Sequence, residues 1–166
     1  CIPTNEYLHS AQLADTMNHA SEFGIDIPSY TLNFENVYQR KNKIVDTLSK
    51  GVAFLMKKNK ITVFKGQGKL EGGGKVSVTD ASGKKQDIAT RNVIIATGSA
   101  PRLLPGMEVK APQIVTSDEL LELREVPKSM VVLGAGAVGV EFASVFNNFG
   151  SKVTVMELLP RMVPIE

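Results

Sequence analysis

Apolar residues change their spacing several times along this chain, and each change marks a predicted element. Leu8, Ala11, Ala14 and Met17 recur at helical intervals, which predicts a helix from Leu8 to about Ala20, ended by Gly24. A second helix, running to about Lys58, is predicted from Val37, Ile44, Val45, Leu48, Val52 and Leu55, with Asn33 available as its cap and Glu35 favouring its start. The period then falls to two. Ile61, Val63 and Leu70 lead into Val76 and Val78, with turns at Gly72 to Gly74 and from Asp80 to Lys84, the pattern of a small antiparallel meander. The compact apolar run Val93 to Ala96, inside Ile88 to Thr97, predicts a buried strand that stops at Thr97 and Gly98, where backbone approaches something closely.

Pro101, Pro105 and Pro112 then read as a linker, and a domain boundary is expected near Pro112. Thr116 and Glu119 have capping-box spacing ahead of a short helix through Leu123, which Pro127 closes. Met130 to Leu133 is an apolar strand. Gly134, Gly136 and Gly139 follow it with the spacing GxGxxG, and Val138, Phe142, Val145, Phe146 and Phe149 continue with helical period. Gly150 is expected to close that helix in a left-handed conformation, and Lys152 to Met156 reads as a second strand of a strand-helix-strand unit.

This unit carries the most chemical information. Gly134 permits the tight turn, Gly136 lets backbone reach a pyrophosphate, and Gly139 lets the helix pack close to the strand, so that a diphosphate rests on the helix N-terminus. Glu157 ends the second strand about 20 residues beyond the glycines, where a carboxylate can accept a hydrogen bond from a ribose 2′-OH. A carboxylate there repels the 2′-phosphate of NADP and favours NAD. Arg161, close by in sequence, keeps NADP open, and its plain reading is a surface or subunit-contact residue.

Composition excludes more than it adds. With 43% hydrophobic residues among 166, a globular core is possible, and 19 basic against 17 acidic residues leave a net charge of +2, too little to argue for nucleic acid or an anionic membrane. No apolar run nears the roughly 18 residues of a spanning helix, no signal peptide is evident, and one cysteine permits no internal disulfide, so a reducing compartment is expected. His9 and His19 read as surface or packing residues on the first helix. No cluster has metal-ligand spacing, so no metal is expected, and neither a nucleophile elbow nor a Walker loop is present. The chain starts at Cys1, and its last residue, Glu166, follows a Pro-containing segment just after the second strand. The sequence is therefore expected to be an internal piece of a longer protein.

Three stretches carry a resemblance. CIPTN from Cys1, VIIATGSAPRLLPG from Val93 and VPKSMVVLGAGAVGVEFASV from Val126 resemble, in the same order, segments of the flavoprotein disulfide reductases, and among these the dihydrolipoyl dehydrogenases most closely. The resemblance spans essentially the whole chain. It implies an α/β fold made of parts of two Rossmann-like dinucleotide-binding domains with a small antiparallel meander. Residues 1–113 would belong to the FAD-binding domain and 114–166 to the N-terminal part of the NAD-binding domain.

By the same resemblance, Cys1 matches the flavin-proximal member of a redox cysteine pair. Gly68, Thr97, Gly98 and Ser99 match positions touching FAD, while Gly134, Ala135, Gly136, Ala137, Val138, Gly139, Val140, Glu141 and Glu157 match positions binding NAD. The implied reaction is oxidation of dihydrolipoamide, carried on a lipoyl domain of a 2-oxoacid dehydrogenase complex, with reduction of NAD by a homodimeric parent in the cytoplasm or the mitochondrial matrix. The chain departs from the family pattern in lacking the first flavin-binding GxGxxG, the first redox cysteine, and the interface domain with its catalytic His and Glu, so alone it is expected to be inactive. It also has Asn5 where the family places a lysine near the flavin ring, which supplies a hydrogen-bond donor and no positive charge. The alternatives are an NADPH-dependent reductase of the glutathione or mercuric type, and a nucleotide-binding module without catalysis.

Overall fold

The computed structural model describes residues 1–163; residues 164–166, the end of the predicted NAD-binding part, lie outside the described residues. Two compact units form, one from residues 1–48 together with the described residues from 101 onward, the other from residues 49–100.

In the first unit, α1 (Ile2–Asn18) begins earlier than its apolar spacing suggests. Cys1 is the N-cap and Pro3 lies in the first turn, where a missing N–H costs nothing and the ring fixes a helical φ. The helix also stops before Ala20. A short 3₁₀ turn, Ala20–Phe23, follows, and Gly24 closes that turn in the left-handed region rather than closing the helix itself. The second helix, α2 (Phe34–Lys58), starts where expected, with the Asn33 side chain accepting from the Asn36 N–H at 3.0 Å. Its buried residues are Phe34, Tyr38 and Lys41, all in the first turns, whereas Leu48, Val52 and Leu55, expected on the core face, are exposed.

Thr116 and Glu119 form the expected capping box at α3 (Ser117–Leu120), which ends short of Leu123. Its last turn tightens into i→i+3 bonds from Glu122 to Glu119 and from Leu123 to Leu120, and the Leu121 carbonyl accepts instead from the Tyr7 hydroxyl and the Lys41 ammonium. β4 (Ser129–Leu133) pairs in parallel with β5 (Lys152–Met156), from Ser129 opposite Lys152 to Leu133 opposite Met156, and α4 (Ala137–Asn148) crosses between them. After α4 the Gly150 N–H bonds the Asn147 carbonyl at 2.9 Å and the Ser151 N–H bonds the Phe146 carbonyl at 2.9 Å, with Gly150 at φ +97°. This is the expected left-handed closure, and it turns the chain directly into β5. The core joins α1 and the start of α2 to α3 and α4 through Tyr7, Ala11, Phe34, Leu120, Phe142, Val145, Phe146 and Phe149. Its rings meet at tilted and edge-on angles, with centroids 5.6 Å apart for Phe34–Phe149 and 6.4 Å for Phe146–Phe149.

The second unit holds the end of α2 and the expected antiparallel meander, β1 (Gln67–Gly72), β2 (Lys75–Thr79) and β3 (Lys85–Ala89). Ile61 and Val63 precede the sheet instead of joining it. Val93 to Ala96 does not form the buried strand predicted from its composition: it has no regular structure, and Ile94 is 91% exposed. An apolar run becomes a strand only beside a ladder that pairs its backbone, and among the described residues no strand pairs with this one.

Candidate functional site

The turn from β4 into α4 is tightly constrained. The Gly134 N–H prolongs the parallel ladder by bonding the Met156 carbonyl at 2.8 Å, and Gly134 then turns at φ +102°. Gly136 is the N-cap of α4. A Cβ at Gly139 would lie 2.1 Å from the Gly134 carbonyl oxygen and 3.3 Å from Val132, so only glycine lets the first turn of α4 press onto the strand. A Cβ at Gly136 would meet nothing within 4 Å, which leaves its backbone open to an outside group. No side chain caps α4 and no acid lies in its first turn. The unpaired N–H groups of that turn and the positive end of the helix dipole together can receive a phosphate.

Glu157 closes this turn from the side. One carboxylate oxygen accepts from the Ala135 N–H at 2.7 Å and the other from the Leu159 N–H at 2.8 Å. These two bonds, Leu159 first, hold the carboxyl below the usual glutamate range, so it is charged at neutral pH. Ala135 is held through both of its backbone polar groups, since its carbonyl accepts from the Val163 N–H at 2.8 Å. A carboxylate has about four acceptor positions, so both oxygens keep capacity for sugar hydroxyls. Beside the turn lies an open cleft of about 1270 Å³, whose walls include Gly134, Gly136, Val138 and Phe142 together with Leu103, Leu104 and Met107 of the linker.

The structure therefore brings together Gly134, Ala135, Gly136, Ala137, Val138, Gly139, Val140 and Glu157. Glu141 is exposed on the next turn of α4. The other expected site residues stand elsewhere. Cys1 is exposed at the head of α1, and the Asn5 N–H donates to the Cys1 carbonyl at 3.0 Å. Gly68 lies in β1 opposite Val78, and Thr97, Gly98 and Ser99 are exposed in the irregular segment after Ile95; no hydrogen bond among the described residues joins the two stretches.

Sequence reasoning missed a second polar site. Lys41 is only 1% exposed, with its ammonium 2.6 Å from the Leu121 carbonyl, 3.3 Å from Glu122 and 4.3 Å from the centre of the Tyr38 ring. The Tyr38 hydroxyl donates to Glu122 at 2.6 Å, and Arg124 stacks on the same ring while reaching Glu35 with two bonds of 3.0 Å. The signal was present in the spacing, because Phe34, Tyr38 and Lys41 fall on one helical face, which put a lysine in line with core residues.

A family model described as pyridine nucleotide-disulphide oxidoreductase matches residues 1–166. The chain is 44% identical over 174 residues to the dihydrolipoyl dehydrogenase of Bacillus subtilis, covering 100% of this chain and 37% of that protein. It is 43% identical over 166 residues to the dihydrolipoyl dehydrogenase of Chlorobaculum tepidum, covering 100% of this chain and 35% of that one. Among solved structures it is similar to LpdA from Mycobacterium tuberculosis, with a TM-score of 0.89 at 23% identity over 100% of this chain and 37% of that one, a likeness of fold. It is also similar to the HOCl-induced flavoprotein disulfide reductase RclA from Escherichia coli, with a TM-score of 0.78 at 32% identity, covering 100% of this chain and 34% of that one. The chain thus spans little more than a third of the length of these relatives.

Proposed function

This chain belongs to the pyridine nucleotide-disulphide oxidoreductase family, and on that premise we propose that the whole protein is a dihydrolipoyl dehydrogenase using FAD and NAD. The observation that carries the reading is the 44% identity to a dihydrolipoyl dehydrogenase along the entire chain. In this reaction the dithiol of dihydrolipoamide loses two electrons and two protons to become the disulfide, a hydride reaches NAD⁺, and one proton goes to solvent. FAD, when bound, relays the electron pair between a cysteine pair and the nicotinamide.

Cys1 would be the chain's contribution to that pair, placed at the head of α1. The turn from Gly134 to Gly139 would hold the NAD diphosphate, supported by its open Gly136 backbone and uncapped helix. Glu157, charged and fixed by two N–H groups, would take the ribose hydroxyls and repel a 2′-phosphate. Gly68 and the stretch Thr97 to Ser99 would touch FAD; Gly98, at φ +75° with open space where a Cβ would be, suits a close approach of backbone to a cofactor. Asn5, exposed on the first turns of α1, would offer its amide to the flavin ring without a charge. Residues 1–113 would serve the FAD-binding domain and 114–166 the NAD-binding domain. The partners of the whole protein would be a lipoyl domain of a 2-oxoacid dehydrogenase complex and a second copy of itself. Among the described residues no helix is long and apolar enough to cross a membrane.

The test is NAD reduction by the full-length protein with dihydrolipoamide, alongside titration with NADH and NADPH for the parent and Glu157→Ala. Turnover with dihydrolipoamide and a preference for NADH that weakens in the variant are expected. Turnover with NADPH and glutathione disulfide instead would favour a reductase of the other type, a reading that the nearby Arg161 keeps in play.

A further inference from the structure

The two ends of the proposed chemistry meet through one packed interface. α1 carries Cys1 at its start, α4 carries the glycine-rich turn at its start, and the two helices pack on each other around Tyr7 and Phe149. Tyr7 has no exposure at all, and its hydroxyl donates to the Leu121 carbonyl at 3.2 Å. Burial pushes its phenol up, so the hydroxyl keeps the proton it donates. The same carbonyl accepts from the Lys41 ammonium at 2.6 Å, and that ammonium lies 5.4 Å from the centre of the Tyr7 ring and 4.3 Å from that of Tyr38. One acceptor at the end of α3 therefore holds a side chain from α1 and another from α2.

A buried ammonium is an unusual way to hold a core together. Removing it from water is costly, its attraction to Glu122 returns only part of that cost, and an apolar side chain of the same length fills such a space at similar or better stability. What the apolar side chain does not supply is a directional bond. A methionine at position 41 would lie between the two tyrosine rings but would leave the Leu121 carbonyl to the Tyr7 hydroxyl alone, and the Tyr7 ring without the cation that faces it. Tyr7 lies six positions along the chain from Cys1, roughly 9 Å of helix, so a shift of Tyr7 is transmitted along less than two turns to the cysteine.

We propose that Lys41 is a positioning residue: through the Leu121 carbonyl and the Tyr7 ring it fixes the start of α1, and with it the sulfur of Cys1. The proposal rests on the reading of Cys1 as half of a redox pair. Lys41 touches neither cofactor nor substrate in this scheme. It acts by denying α1 the small slide and rotation along α4 that apolar packing alone permits, and misplacement of reacting atoms by about 1 Å can cost as much as a hundredfold in rate.

The experiment compares the full-length flavoprotein with Lys41→Met and Lys41→Arg. Hydrogen exchange is followed in peptides covering α1 and α4, and steady-state kinetics are run with dihydrolipoamide and NAD. In Lys41→Met, amides in the first two turns of α1 should exchange about tenfold faster, those of α4 should be unchanged, and kcat should fall about tenfold with the KM for NAD unaltered. Lys41→Arg, which keeps a donor for Leu121, should recover part of both effects. Tyr7→Phe, which keeps the ring and removes one bond to the same carbonyl, should shift exchange in the same direction and supplies the test if Lys41→Met does not fold. Exchange and kcat both within twofold of the parent would overturn the proposal, as would faster exchange with unchanged kcat, since Lys41 would then hold a helix without placing the thiol. If the parent itself does not oxidise dihydrolipoamide, the functional reading fails, and the exchange comparison still decides whether Lys41 fixes the start of α1.

Discussion

Gly139 has no room for even a methyl group, because the Gly134 carbonyl oxygen lies 2.1 Å from where its Cβ would be. Gly139→Ala must therefore push α4 off the strand or distort the turn, and a loss of about 2 kcal/mol in stability is expected from such overpacking, measured by urea denaturation. Gly136→Ala, with open space at the same atom, should leave stability within about 0.5 kcal/mol, so its cost should show in cofactor affinity instead. Glu157 makes a different prediction. Its native contacts favour the charged form, so the stability they give is present above the ordinary glutamate range and is lost as pH falls through the lowered native value. The difference in melting temperature between the parent and Glu157→Ala should be largest near neutral pH and should close in acid. A difference that is constant with pH would show that the carboxylate charge is irrelevant to the turn.

At the level of elements, the strand-helix-strand unit was legible almost residue by residue. Strand period, glycine spacing, helical period and the Gly150 closure are local signals that agree with one another, and each is satisfied within a single continuous segment. Asn33 and the Thr116–Glu119 box were legible for the same reason. Elements whose formation depends on a distant partner were not. Val93 to Ala96 has a strand's composition and, among the described residues, no ladder to join, and the first turns of α1 were hidden because Pro3 reads as a breaker until it is recognised as a first-turn residue. Lys41 escaped because residue type argues for the surface, while the structure places it under two aromatic rings. The core also depends on rings of α4 that face α2. Phe146→Ala removes a fully buried ring that faces both Phe34 and Phe149 and should cost about 3–5 kcal/mol, read from the denaturation midpoint.

Across the whole molecule, apolar surface is distributed unevenly. Val52, Phe54 and Leu55 on α2, Ile94 and Ile95 after the meander, and Val131, Leu133 and Met156 on the two-stranded sheet are all exposed. Patches of this kind mark surfaces that bury themselves against something else, as expected of a chain that spans little more than a third of its relatives. The isolated 166-residue chain should bind an apolar dye such as anilinonaphthalene sulfonate strongly, and the full-length protein should bind far less. Equal binding by both would mean that these faces stay exposed in the complete protein. Helical periodicity through Leu48, Val52 and Leu55 located α2 correctly but not what its later turns face, since all three are exposed.

The parallel ladder between β4 and β5 has a further consequence for how this chain can vary. Each pair from Ser129 opposite Lys152 to Leu133 opposite Met156 carries the same sequence offset, and the stretch between the strands is fully committed to the turn, the helix and its closure. An inserted or deleted residue there would swing the remainder of α4 by about 100° about its axis, carrying Phe142, Val145 and Phe146 off the core, or would move every β5 side chain to the opposite face of the sheet. The stretch from Gly134 to Ser151 is in effect a ruler of fixed length. Changes in chain length among homologues should gather instead between Pro101 and Thr116, where backbone is irregular and few partners would notice an extra residue.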